Sequence, residues 1–157
     1  MNQEVADRIK VEFERLTGIP VTANYMRMGE AHKPTTLKKG TCGVYVFLTD
    51  KHCFKVGKAG SKSNARWSSQ HYSYDERLGS SLPKSILKNR EDFKKYFPSE
   101  LHQEIDALEK STLQSWIKSN LSRIEFLIED TRKPYALSLL EALAQFHLKP
   151  IFEGKYV

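Results

Sequence analysis

Gly43-Val44-Tyr45-Val46-Phe47-Leu48 and Cys53-Phe54-Lys55-Val56-Gly57 are two apolar runs, separated by the polar break Thr49-Asp50-Lys51-His52. Runs of β-branched and aromatic residues bounded by turn-forming residues predict two short antiparallel strands. Gly57 and Gly60 then mark a corner, and Ser61 or Ser63 is placed to cap a polar helix carrying Arg66, Trp67, Gln70 and His71. At i,i+4 spacing Arg66 and Gln70 share one helix face, and Trp67 and His71 share the next. Register decides what the hairpin can do. Directly opposed residues share a face, and a one-residue slip turns every side chain over. With an odd connecting loop, Tyr45 lies opposite Lys55, and that is the expected register.

Outward from the hairpin, residues 2–17 carry Val5, Ile9, Phe13 and Leu16 at helical spacing, and Gly18 and Pro20 end that helix. Residues 21–26 read as a short strand or an extended arm, and residues 29–40 as a loop. Residues 1–40 are thus expected to be a helical extension or arm on a main body of residues 41–157, the whole forming one unit. Downstream, residues 84–89 read as a short helix. Ser99 is placed to cap a long helix running to Asn120, with Leu101, Ile105, Leu108, Thr112 and Trp116 as its apolar stripe. Residues 123–129 read as a strand with Ile124, Phe126 and Ile128 on one side. The last helix, about 133–148, is apolar over most of its girth and should be central.

Composition narrows the class. Apolar content of 39% in 157 residues is enough for one packed domain. No run approaches the roughly 18–20 apolar residues of a membrane span, and the N-terminus lacks a signal pattern, so a cytoplasmic protein with no membrane partner is expected. The net charge is +6. Basic residues predominate from Lys51 to Lys95, whereas the acids gather in residues 99–130, so the basic sector points to a polyanion. Cys42 and Cys53 are too few for a disulfide scaffold and match no zinc spacing.

Glu141 breaks the apolar pattern of the last helix. A carboxylate there costs several kcal/mol unless paired or metal-bound. An ion pair would make it structural. A hard divalent cation such as Mg²⁺ accepts one or two carboxylates plus water and phosphate oxygens. Arg66 has the fork that grips a phosphate. Tyr45 and Lys55, among positive neighbours, are candidates to deprotonate a water.

In this order the residues resemble the GIY-YIG nucleases. Gly43-Val44-Tyr45 is similar to the first tripeptide, with valine for isoleucine, and Lys55-Val56-Gly57 to the second. Arg66-Trp67 followed by His71 resembles the helix arginine segment, and Ser80-Ser81-Leu82 with Ile86 the short helix after it. Residues 124–129 resemble the third strand and Glu141 the metal-binding glutamate. The resemblance covers residues 41–153, with residues 91–120 as an inserted helix. Three departures stand out. Lys55 replaces a tyrosine, as in some restriction-type members. His71 lies five residues after Arg66 instead of four, with Gln70 at the four-residue place. Glu153 stands where an asparagine often follows.

The resemblance implies an α+β fold: a three-stranded, mainly antiparallel sheet flanked by helices. It implies a DNA endonuclease with one divalent metal, Mg²⁺ or Mn²⁺, held by Glu141. Arg66 would stabilise the transition state, and Tyr45, helped by Lys55, would activate water. His71 is a further catalytic candidate. Lys58, Lys62, Gln70 and Lys84 would bind substrate. The partner would be DNA, with RNA left open, and a double-strand cut would favour a homodimer. The alternative is a non-catalytic nucleic-acid-binding module on the same fold.

Overall fold

A computed structural model describes residues 3–79, 81–130 and 134–152. Its frame is a four-stranded antiparallel sheet in the order β1-β4-β2-β3. The strands are β1 (Thr22–Met26), β2 (Thr41–Leu48), β3 (Cys53–Ala59) and β4 (Ser122–Glu129). The expected three strands are β3, β2 and β4, and β1 adds a fourth by pairing with β4 from Thr22↔Leu127 to Met26↔Arg123.

The sheet has a core on each face. On one face lie α1 (Gln3–Thr17) and α7 (Pro134–Leu148). Ala6, Ile9, Phe13, Leu140, Ala144 and Leu148 pack there against Val44, Val46, Ile124, Phe126 and Ile128. Residues 3–26 are therefore part of the sheet and its core. On the other face lie α2 (Asn64–Ser68), α3 (Leu82–Lys88), α4 (Arg90–Lys94), α5 (His102–Asp106) and α6 (Leu113–Asn120). Trp67, Ile86, Phe93, Ile105, Leu113 and Trp116 cover Tyr45, Phe47 and Phe54 there. Burial of both faces explains why β2 is apolar almost throughout.

Several expectations are corrected. Leu16 is exposed, and the buried stripe of α1 is Ala6, Ile9 and Phe13. The last helix is one-sided: Tyr135 and Phe146 are 81% and 75% exposed. The single helix expected from Ser99 is broken. Ser99 opens a 3₁₀ turn and makes no capping bond. α5 stops at Asp106, where Arg90 donates to the carbonyls of Asp106 and Leu108. Thr112 Oγ1 then accepts from the Glu109 N–H at 3.0 Å. Side chains take up backbone groups that a continuous helix would have paired. The start expected near Lys133, Ser80 of the short-helix segment and Glu153 lie outside the described residues. Ile151 and Phe152 donate to the carbonyls of Cys53 and Phe54, which covers part of the free edge of β3.

Candidate active site

The register of the hairpin sets Tyr45 opposite Gly57 and Lys55 opposite Phe47. Tyr45 and Lys55 are not directly opposed, but they share a face, one step apart along β3. The pairing slips between Phe47 and Leu48, whose partners are Lys55 and Cys53, so Phe54 is the extra residue of a bulge.

The two motif glycines serve as floors for aromatic rings. A Cβ at Gly57 would come within 2.6 Å of Tyr45 Cζ, and one at Gly43 within 2.7 Å of the Trp67 ring. The Tyr45 phenol therefore lies flat over Gly57. Replacing Gly57 by alanine should displace the phenol and cost roughly 1–3 kcal/mol by overpacking. Urea unfolding of Gly57→Ala measures this, and wild-type stability would contradict the close approach.

Arg66 and His71 meet at the Tyr45 hydroxyl. Arg66 Nε donates to it at 3.3 Å, and His71 Nε2 lies 2.5 Å away. His71 Nδ1 accepts from the Leu82 N–H at 3.3 Å, so the neutral ring carries its proton on Nε2. Nε2–H then donates to the tyrosine oxygen. Two N–H donors thus stabilise negative charge developing there.

The chain reaches this arrangement by a local irregularity. Ala65 O accepts from both Ser69 N–H (3.0 Å) and Gln70 N–H (2.9 Å), so the turn closing α2 is widened to i→i+5. α2 has ended at Ser68, so Arg66 and Gln70 do not share a helix face as expected. The extra residue is absorbed in the turn, and His71 comes back onto Tyr45. The expected serine cap is also absent. Ser63 occupies the N-cap without a capping bond, and Ser61 Oγ instead donates to Asp130 at 2.5 Å.

Beneath α2 lies a buried ion pair that sequence reasoning missed. Arg123 and Glu125 approach to 3.0 Å with neither side chain exposed. Arg123 also donates to Trp67 O at 2.7 Å, and its guanidinium stacks over the Trp67 ring at 5.0 Å. Glu125 accepts from the N–H (3.3 Å) and hydroxyl (2.6 Å) of Thr35. His32 bonds Leu121 O at 2.6 Å and the Tyr72 hydroxyl at 2.5 Å. The pair thus clamps the 29–40 loop and α2, and so positions Arg66 next to Trp67. No local signal marks it: Arg123 and Glu125 alternate with Ile124, Phe126 and Ile128, the pattern of a strand with one wet face, and only a covered second face makes them interior.

Both histidines are held neutral. Burial lowers His32 to about 4, with Arg123 and Lys118 adding to the effect. Burial, then the charges of Lys55, Arg66 and Arg123, holds His71 well below its ordinary value. The unfolded chain protonates these rings below pH 6.5 and the folded chain does not. Their stability contribution is therefore fully present above about pH 6.5 and is lost as pH falls toward 4. His32 alone accounts for a loss on the order of 3 kcal/mol by pH 4. Urea midpoints should decline steadily from pH 6.5 to 4.5, and a flat profile would show that the rings are not buried neutral.

Glu141 lies on the other face of the sheet. Its carboxylate pairs with Lys58 at 2.8 Å, and Lys58 also donates to Ser138 Oγ at 3.1 Å. Lys58 opposes Val44, on the α7 side, whereas Tyr45 and Lys55 point to the α2 side. The two halves approach each other around a cleft of about 430 Å³ that has Lys58, Arg66, Ser138, Glu129 and Asp130 in its walls. Arg66 is thus the link: its Nε touches Tyr45, and its side chain lines the cleft that also holds the partner of Glu141. Tyr45, Lys55 and His71 are buried and Arg66 is exposed, so the first three form a covered group behind one arginine.

The substrate-binding candidates divide. Lys84 donates to the carbonyls of Glu76 (3.2 Å) and Leu78 (2.9 Å), where it holds a loop. Lys62 is exposed, and among the described residues no ion pair engages it. Gln70 is half-buried. Cys42 is buried, and burial, then Asp130, pushes its thiol up to about 11, which makes it inert. No helix among the described residues is long and apolar enough to cross a membrane. Compared with known proteins, the chain matches no protein-family model, no curated protein and no solved structure.

Proposed function

We propose that this protein is a divalent-metal-dependent endonuclease that hydrolyses phosphodiester bonds in DNA, on the plan of the GIY-YIG nucleases. The observation that carries the reading is the double engagement of Arg66, with the Tyr45 hydroxyl on one side and the cleft of Lys58 on the other. A phosphate in that cleft meets a guanidinium suited to bidentate contact. Tyr45, once its phenol proton has passed to solvent, is a tyrosinate whose oxygen accepts from Arg66 and His71, and it takes the proton of the attacking water. Burial, and then the charge of Lys55, keeps the His71 ring neutral.

Glu141, a half-buried carboxylate beside the cleft, would be the protein ligand of a hard cation, with water and phosphate completing the shell. When bound, Mg²⁺ or Mn²⁺ supplies stabilisation of the leaving oxygen. Lys58 shares the Glu141 carboxylate and is the residue that must yield it.

The complete burial of Tyr45 favours a second reading, a module that grips nucleic acid without cutting it. Incubating supercoiled plasmid with the protein in Mg²⁺, in Mn²⁺ and in EDTA separates the two. Nicking that needs metal and is lost in Glu141→Ala supports the nuclease. Plasmid left intact by wild type, with DNA still shifted in a gel, supports the module.

A further inference from the structure

A second and larger groove, about 660 Å³, adjoins the cleft, and Ile128 and Glu129 border both. Ile19, Pro20 and Leu127 give it an apolar lining, and β1 and the loop after it supply polar groups. The hydroxyls of Thr35 and Thr41 are engaged internally, with Glu125 and with Lys38 O, each at 2.6 Å. Those of Thr22 and Thr36, the Asn24 amide and the Lys38 ammonium are not: among the described residues no hydrogen bond or ion pair engages them. An apolar lining bordered by polar groups without internal partners is the make-up of a small-ligand site, and the volume suits a ligand of nucleotide size.

We infer that this groove binds one unpaired nucleotide next to the bond to be cut, which makes single-stranded or branched nucleic acid the substrate class. The inference rests on the nucleic-acid reading above and adds to it a site built by residues 18–41. A base stacked and paired in a duplex cannot enter a pocket of this size, so the nucleotide must be out of the helix. Asn24 offers a donor and an acceptor side by side, the pattern that pairs with adenine N7 and N6. Glu129, at the junction, accepts from an exocyclic amine, which accounts for a carboxylate beside a phosphate path. Lys38 meets the phosphate, and Thr22 and Thr36 the sugar.

The test is fluorescence anisotropy in EDTA with a fluorescein-labelled single-stranded deoxyadenosine pentanucleotide and, separately, a blunt duplex of two complementary strands without a loop. Asn24→Leu should weaken binding of the single strand roughly tenfold and leave the duplex unaffected. Lys38→Glu changes an exposed side chain with no internal role, so folding does not confound it, and it should weaken the single strand as well. Equal single-strand binding by wild type and both variants overturns the inference, as does an Asn24→Leu loss that is equal for strand and duplex. Plasmid nicking in Mg²⁺ separates this from the nuclease reading. Nicking with variant-insensitive strand binding removes the groove alone. Variant-sensitive strand binding without nicking removes the nuclease alone and leaves the groove standing.

Discussion

Tyr45→Phe should lower phosphodiester cleavage by roughly 10²- to 10⁴-fold while leaving DNA binding in EDTA unchanged. The substitution removes one oxygen and keeps the ring over Gly57, so the packing of the hairpin survives. What is lost is the acceptor for Arg66 Nε and His71 Nε2. Leaving a buried donor without an acceptor costs about 1–3 kcal/mol, so the variant should also unfold at lower urea. His71→Gln provides the control. It should destabilise comparably but retain more cleavage, because the tyrosine oxygen that takes the proton is still present. Cleavage by Tyr45→Phe at the wild-type rate would move the base to another group, with Lys55 the next candidate on the same face.

Arg123→Ala should be the most damaging single change to stability, about 3–5 kcal/mol. It leaves Glu125 charged and unpaired in a site with no exposure, and it removes the donor to Trp67 O. For a chain of this size the melting temperature should fall by roughly 10 °C or more. Replacing both members by apolar residues of similar volume, Arg123→Met with Glu125→Leu, should recover much of the loss, since no buried charge then remains. The double variant should still cut less well, because the 29–40 loop and α2 lose their clamp and Arg66 its fixed position. Equal melting temperatures for wild type and Arg123→Ala would mean that the pair does not hold the loop.

These two changes probe different kinds of information. Tyr45 was legible because it stands in a short apolar strand with a glycine two residues before it and a second glycine at the end of the next strand. Its candidacy follows from residue type and order. Arg123 and Glu125 were hidden because an alternating strand with polar residues on one side normally faces water on that side. Here α2 to α6 cover it, and nothing local to residues 122–129 announces them. His71 was legible as a residue but misplaced in geometry. Uniform helical spacing put Gln70 beside Arg66, and the widened turn at Ala65 reversed that. Lys84 and Lys58 were legible as charges, but their engagement with a loop and with Glu141 depends on elements folded against them.

The sequence by itself determined strands β2, β3 and β4 and the helices α1, α3 and α7, through apolar periodicity and glycine or proline stops that act over a few residues. It also supplied the candidates Tyr45, Lys55, Arg66 and Glu141, through residue type and the resemblance carried by their order. Only the tertiary structure decided the rest. It made residues 22–26 a fourth strand, broke the helix after Asp106, and set Tyr45 and Glu141 on opposite faces with Arg66 as the link between them. Those outcomes rest on contacts across the chain, such as Thr35 with Glu125 and Ala23 opposite Phe126. Their energies come from burial and long-range pairing, which local spacing does not encode.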